Sequence, residues 1–332
     1  MIAPGTLLLT RSQISKLLGA EECVRVVEEA FRLHGEGRIA PPSLLGMHTR
    51  DGGFHVKAAL FDKGSESFFV AKCNANFAQN PKRHRLPTIQ GVLLLADAVC
   101  GIPLVVMDSG EITVRRTAAA TAVAAKYLSR EDSKTMTICG CGNQGAAHLE
   151  TIRNVRNIQG VYVYDIDHEK AMLLAEEYSQ RVSVTAVTLE ELSSALRKSD
   201  ICITCTSSDH YFVRCSDISP GTFIAAVGAD NEHKQEIDPR LFISNKIVAD
   251  VTEQSATIGD THHALDLGLI TRSHIHGELG AIVAGRRAGR TTKEEVIIFD
   301  STGVAFQDAA VAVLVYNRAL AQDIGRRLDF ND

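Results

Sequence analysis

The chain has 332 residues, 45% hydrophobic but only 5% aromatic and without Trp, which suits about two domains with an aliphatic core. A formal net charge of −5 carries no basic footprint for nucleic acid or an anionic membrane. No stretch reaches the ~18 apolar residues of a membrane span, and MIAPGTLLLTRSQ lacks the basic start and long apolar run of a secretory leader; a cytoplasmic location is expected.

Taken in order, residues 7–10 read as a short strand. Residues 21–34 read as an amphipathic helix, with Val24, Val27, Ala30 and Phe31 at helical spacing, and Ser12 or Ser15 is placed to cap it. Pro41-Pro42 stops any continuation. Strand signals dominate residues 44–107, separated by turns at Asp51-Gly52-Gly53, Lys63-Gly64, Asn80-Pro81 and Gly101. Consecutive strands joined this way make a largely antiparallel sheet. Residues 110–129 form an alanine-rich helix with Arg115 and Arg116 near its start. Cations favour the other end of a helix, so stability alone does not explain them.

Residues 135–165 then carry a β-turn-α-β unit. Strand residues Thr135–Cys139 lead into Gly140, Gly142 and Gly145 in G-x-G-x-x-G spacing, a helix over 143–156, and a second strand ending in Asp165, 20 residues past Gly145. A plain glycine turn would lack this context. Gly140 allows the tight turn, Gly142 lets the backbone approach a pyrophosphate, and Gly145 lets helix and strand pack closely. Free N–H groups at the helix start suit phosphates. The Asp165 carboxylate accepts ribose hydroxyls and repels a 2′-phosphate, so NAD(H) is expected over NADP(H).

Further strands fall near 182–187, 201–205, 222–227, 246–250 and 296–300, with helices between several, such as 189–198. This is a doubly wound, mostly parallel sheet. A last helix over 303–325 returns to the first domain. No metal is expected: Cys202 and Cys205 form a C-x-x-C, but inside ICITCT, a buried strand with no second ligand pair. His262, His263, His274 and His276 show no ligand spacing either.

Four ordered motifs, RTAAATAVAAKYL, ICGCGNQG, VGADNEHKQEID and FDSTGVAFQDAA, resemble the ornithine cyclodeaminase/mu-crystallin family over nearly the whole chain. The resemblance implies a Rossmann-type NAD(P) domain plus an α+β substrate and dimerisation domain, completed by the C-terminal helix, in a homodimer whose N-terminal sheets join. The expected division is 1–115 with 305–332 for substrate and dimerisation, and 116–304 for NAD. Lys72 takes the place of the family's substrate lysine, Arg116 that of its arginine, and Asp230 that of its catalytic aspartate. Thr117 is expected at the cofactor phosphates, and Asp300, Ser301 and Thr302 near the cofactor. The cofactor positions are Thr117, Gly140, Gly142, Asn143, Gln144, Gly145, Asp165, Thr206, Ser207, Val227 and Ser301. One departure stands out. Where ornithine-type members carry an acid followed by Met-Pro, this chain has His55 and Lys57.

The residue chemistry agrees. The planar fork of Arg116 suits a substrate carboxylate. Lys72, among Phe69, Val70, Ala71 and Cys73, is a candidate for a buried lysine of lowered pKa. Asp230 follows an apolar strand, where ligands sit in open α/β sheets, although Asp there also suits a helix cap. His55 and Lys57 share a strand face and could read a second carboxylate. The leading expectation is NAD(H)-dependent reduction of a small anionic α-imino acid to an L-amino acid, or the reverse oxidative deamination, on an iminosuccinate-, alanine- or pyrroline-2-carboxylate-type substrate. One alternative is an ornithine-type cyclodeaminase, a lyase releasing ammonia with catalytic NAD. Another is a non-catalytic, mu-crystallin-like binder of small ligands or cofactor.

Overall fold

The computed structural model describes residues 5–64 and 66–330, so the ends of the expected first domain, 1–4 and 331–332, lie outside them. Strand β1 (Thr6–Leu9) is followed by two helices where one was expected. In α1 (Arg11–Leu17) the Thr10 N–H donates to Gln13 Oε1 at 2.9 Å, so Thr10 is the cap and Ser12 and Ser15 lie within the helix. Helix α2 (Ala20–Gly35) buries Cys23, Val24, Val27, Ala30, Phe31 and Leu33 on one face. A run of strands comes next: β2 (Ser43–Thr49), β3 (Gly52–Asp62), β4 (Ser67–Asn76), then the short α3 (Asn80–His84), β5 (Ile89–Asp97) and β6 (Pro103–Asp108). Helix α4 (Ser109–Leu128) starts at once, because Asp108 Oδ1 accepts the Glu111 N–H at 3.0 Å and caps it.

The doubly wound region holds β7 (Thr135–Cys139), α5 (Asn143–Ile152), β8 (Gly160–Tyr164), α6 (His168–Tyr178), β9 (Ser183–Ala186), α7 (Leu189–Arg197), β10 (Ile201–Thr204) and β11 (Phe223–Ala226). It continues with β12 (Lys246–Ala249), α8 (Thr252–Ile258), α9 (Asp260–Asp266), β13 (Ile275–Glu278), α10 (Leu279–Val283) and β14 (Ile297–Asp300). The eight strands run in the order β13-β12-β14-β11-β10-β7-β8-β9, with every pairing parallel. The strand order reverses between β7 and β10, the place where such sheets open a crevice. Seven strands fall where the sequence puts them. The eighth, β13, reads Ile-His-Gly-Glu, too short and polar to announce itself. Helix α5 ends at Ile152 rather than 156, and beyond it the Arg156 side chain donates to the Ala125 and Lys126 carbonyls in the last turn of α4, both at 2.9 Å.

The chain closes with α11 (Ala305–Ala321) and an unexpected strand, β15 (Arg326–Leu328), which pairs antiparallel with β1. The left-handed backbone of Asp323 (φ 51°) and of Gly325 (φ 116°) turns the chain between them. The chain divides into two compact units, one of residues up to Arg116 together with those from Val304 onward, the other Thr117–Gly303. The sheet of the first unit runs β15-β1-β6-β5-β4-β3-β2, antiparallel except where β1 lies parallel to β6. Helix α11 covers β3 and β4 and packs on α2. There Phe306 meets Phe31 edge-on, with centroids 5.4 Å apart and planes at 83°. Both rings are fully buried. Phe306→Ala is expected to lower unfolding stability by about 3–5 kcal/mol in a urea titration.

Candidate active site

The first unit buries an ionic cluster. Lys72 on β4 faces Lys57 on β3 and Leu93 on β5 as cross-strand neighbours. Only 2% of Lys72 is exposed, and its Nζ donates to Asp308 Oδ1 at 2.9 Å and to Thr113 Oγ1 at 3.3 Å. Arg116, likewise buried, sends Nε to the same Asp308 oxygen at 3.0 Å and Nη1 to Gln307 Oε1 at 3.0 Å. Lys57 is buried beside them. His55 sits one pleat along the same face, partly buried, between Gly46 on β2 and Asn74 on β4. The structure therefore brings Lys72 and Arg116 together on one buried carboxylate, with Lys57 as the cross-strand neighbour of Lys72.

Burial, with Arg116 and Lys57 nearby, pulls the Lys72 pKa down to about 7, while Asp308 opposes the fall. Burial pushes the Asp308 carboxyl up, but Lys72 and Arg116 overcome it and hold the group below the ordinary aspartate value. The lysine is therefore poised to gain or lose a proton near neutral pH.

The second unit presents loops at the carboxyl ends of its parallel strands. Gly140 takes φ +104°, a conformation that favours glycine. A side chain at Gly145 would overlap the Gly140 carbonyl, whereas one at Gly142 would meet nothing within 4 Å. Asn143 and Gln144 open α5 directly behind Gly142. Asp165 closes β8 with Oδ2 accepting the Cys141 N–H at 2.8 Å and Oδ1 the Asp167 N–H at 2.9 Å, which fixes the carboxylate beside the glycine turn. Thr206 and Ser207 follow β10, Val227 follows β11 and Ser301 follows β14. Gln144 Oε1 and Ser301 Oγ are buried without a hydrogen-bond partner, as groups awaiting a ligand are. Thr117 is buried on α4.

Asp230 lies beyond β11 with its side chain 34% exposed, its Oδ1 held by Lys234 Nζ at 2.7 Å. The residues directly after it form a turn rather than a helix, so it caps none. Asp300 is turned inward, accepting Ser255 Oγ at 2.5 Å and the Thr261 N–H at 2.8 Å. Thr302 donates to Asp250 at 2.9 Å.

A model of the ornithine cyclodeaminase/mu-crystallin family matches residues 5–323. The chain belongs to the ornithine cyclodeaminase/mu-crystallin family. It is similar to an archaeal alanine dehydrogenase dimer with bound NAD, at TM-score 0.93 and 34% identity, covering 98% of this chain and 99% of that one. It is also similar to the Thermococcus litoralis Δ1-pyrroline-2-carboxylate reductase in complex with NADH and L-proline, at TM-score 0.91 and 33% identity, covering 97% and 100%. For the iminosuccinate reductase of Paracoccus denitrificans in complex with NAD+, the TM-score is 0.88 at 30% identity, covering 98% and 100%.

Three residues that bind the candidate site residues escape sequence reasoning. Asp308 and Gln307 sit in a helix that otherwise reads apolar, Ala-Phe-Gln-Asp-Ala-Ala-Val, and a buried acid in such a run is itself a signal that a cation faces it. Glu236 is fully buried, and its carboxylate accepts Thr206 N and Thr206 Oγ1, both at 2.6 Å, and Gly228 N at 2.8 Å. It thereby ties the loop after β10 to the loop after β11.

The glycines separate two effects. Gly145→Ala is expected to lower the melting temperature, because the overlap with Gly140 forces the backbone apart at roughly 1–3 kcal/mol. Gly142→Ala is expected to leave the melting temperature unchanged and to weaken NADH binding in a fluorescence titration.

Proposed function

We propose that this protein is an NAD(H)-dependent reductase of a small, anionic α-imino acid, working also in reverse as an amino-acid dehydrogenase. The observation that carries the proposal is the buried pairing of Lys72 and Arg116 on one carboxylate, with the buried Lys57 across the strand from Lys72. Lys72 and Arg116 share the single charge of Asp308, and with Lys72 protonated this leaves a surplus of positive charge that a carboxylate substrate neutralises. The similarity to three enzymes named for imino- or amino-acid substrates supports the same reading.

Arg116 has five N–H groups. One goes to Asp308 and one to Gln307, which leaves the Nη1/Nη2 edge as a fork for the substrate α-carboxylate. Lys72 hands its proton to the substrate nitrogen in reduction and recovers it in oxidation. We assign Asp230 as the second acid–base group, released from Lys234 when it acts. Lys57 reads a further carboxylate, so an iminosuccinate-type substrate suits the cluster better than an alanine- or pyrroline-type one. An ornithine-type cyclodeaminase needs an acid for the distal amine, and the carboxylate in this cluster, Asp308, is already bound to two cations.

The dinucleotide is held by the glycine turn, the α5 N-terminus, Thr117, Thr206, Ser207, Val227 and Ser301, with Asp165 selecting NAD over NADP. When bound, NADH supplies the hydride. A homodimer joined through the first sheet accords with the edge strand β2, where Leu44, Leu45 and Met47 are exposed. A cytoplasmic location accords with eight unpaired cysteines.

The test is NADH consumption with oxaloacetate plus ammonia, pyruvate plus ammonia, and pyrroline-2-carboxylate, beside ornithine with catalytic NAD. Stoichiometric NADH loss is expected, greatest with the oxaloacetate imine. Ammonia release from ornithine without net NADH change would overturn the proposal. Lys57→Met is expected to cut kcat/KM for the dicarboxylate by about 10–100-fold, as for a lost charged hydrogen bond, and to change the monocarboxylate values much less.

The pH dependence has a definite sign. Lys72 donates as the ammonium, so reductive kcat/KM falls as pH rises through about 7, and oxidative kcat/KM rises over the same range. Initial rates in both directions between pH 5.5 and pH 9 check this.

A further inference from the structure

We propose that Asp308 is a positioning residue of the reaction, whose charge sets the proton affinity of Lys72 and holds the Arg116 fork toward the substrate carboxylate. The proposal rests, for its kinetic part, on the imine-reductase reading.

The geometry is unusual in one respect. Both cations converge on a single oxygen, Oδ1, at 2.9 Å and 3.0 Å. The other oxygen, Oδ2, is buried with no hydrogen-bond partner. The carboxylate thus joins β4, α4 and α11 through one atom. Fixing the Nε side of Arg116 leaves only its Nη edge for a ligand, so the orientation of the fork is determined before substrate arrives.

Each element around Lys72 contributes a definite charge. From β3 comes Lys57, from α4 come Arg116 and the neutral Thr113 hydroxyl, from β5 the uncharged Leu93, and from α11 Asp308. Burial and both cations lower the lysine's proton affinity, and the Asp308 carboxylate is the charge that raises it. Lys72 holds a usable proton near neutral pH because that one charge opposes all the others. Asp308 need not meet the substrate to do this.

The arrangement also supplies a clean variant. Asp308→Asn retains an oxygen acceptor for both cations and places its amide where Oδ2 makes no hydrogen bond, so the charge is lost while the contacts on Oδ1 remain. The first measurement is the titration of the Lys72 ε-carbon by NMR in 13C-lysine-labelled, NAD-saturated protein, with the signal assigned by its disappearance in Lys72→Met. In Asp308→Asn this titration is expected to move to lower pH by about one unit or more, a factor of about ten in proton affinity. The falling limb of reductive kcat/KM against pH is expected to move with it, KM for the imino acid to rise, and Asp308→Glu to restore part of both. A Lys72 titration unmoved in an Asp308→Asn protein that remains folded would overturn the proposal. A parent protein that turns over no imine would instead remove the reductase reading, while the NMR titration would still decide the role of Asp308.

Discussion

One carboxylate oxygen organises the first unit. Asp308 Oδ1 receives Lys72 from β4 and Arg116 from α4, residues 236 and 192 positions away in the chain. None of the three is tolerable alone in an apolar interior, where an unpaired charge costs several kcal/mol. Together they make a buried anion with two donors, and the surplus positive charge left over is the property a carboxylate-binding site requires. The small side chains of α4 serve the same end. Ala118, Ala119, Ala120 and Ala122 are fully buried, so the helix that carries Arg116 is locked by packing just beyond it.

The second unit uses buried acids differently, as anchors for backbone rather than partners for cations. Asp300 accepts the N–H groups of Asp260 and Thr261, Asp260 accepts those of Glu236 and Ile237, and Glu236 accepts those of Thr206 and Gly228. Burial raises the pKa of all three carboxyls. This succession runs from the end of β14 to the loops after β10 and β11. It gives the segments that carry Thr206, Ser207, Val227 and Asp230 a fixed internal support that glycine-rich turns alone would lack.

The fold was legible in the sequence wherever local pattern decides it. Alternating strands and helices, the glycine spacing and the closing Asp165 marked the doubly wound region, because each is written within some thirty residues. Two short edge strands were not legible. β13 and β15 are four and three residues long and gain their structure from neighbours rather than from their own propensity. In the site, Lys72, Arg116 and Lys57 were identifiable by type, flanking residues and motif resemblance, and the structure groups them. Asp308 was not identified, because its partners are distant in sequence and a helical pattern says which residues are buried, not what they face. Glu236 was hidden for a related reason: two of its three donors are backbone amides, which leave no trace in side-chain identity.

The division of the chain has a consequence for its biosynthesis. Residues 117–303 are contiguous, so that unit emerges from the ribosome as one piece and has all its strands once β14 is made. The other unit is split. Its sheet lacks β15, and Lys72 and Arg116 lack their counter-ion, until residues beyond Val304 appear. The earlier-made half therefore spends most of translation with two cations unsatisfied and the β3 and β4 face uncovered, waiting for α11. The last helix to be made is thus the one whose arrival supplies the counter-ion, and a chain that stops before it can own a finished parallel-sheet unit and still leave Lys72 and Arg116 without Asp308.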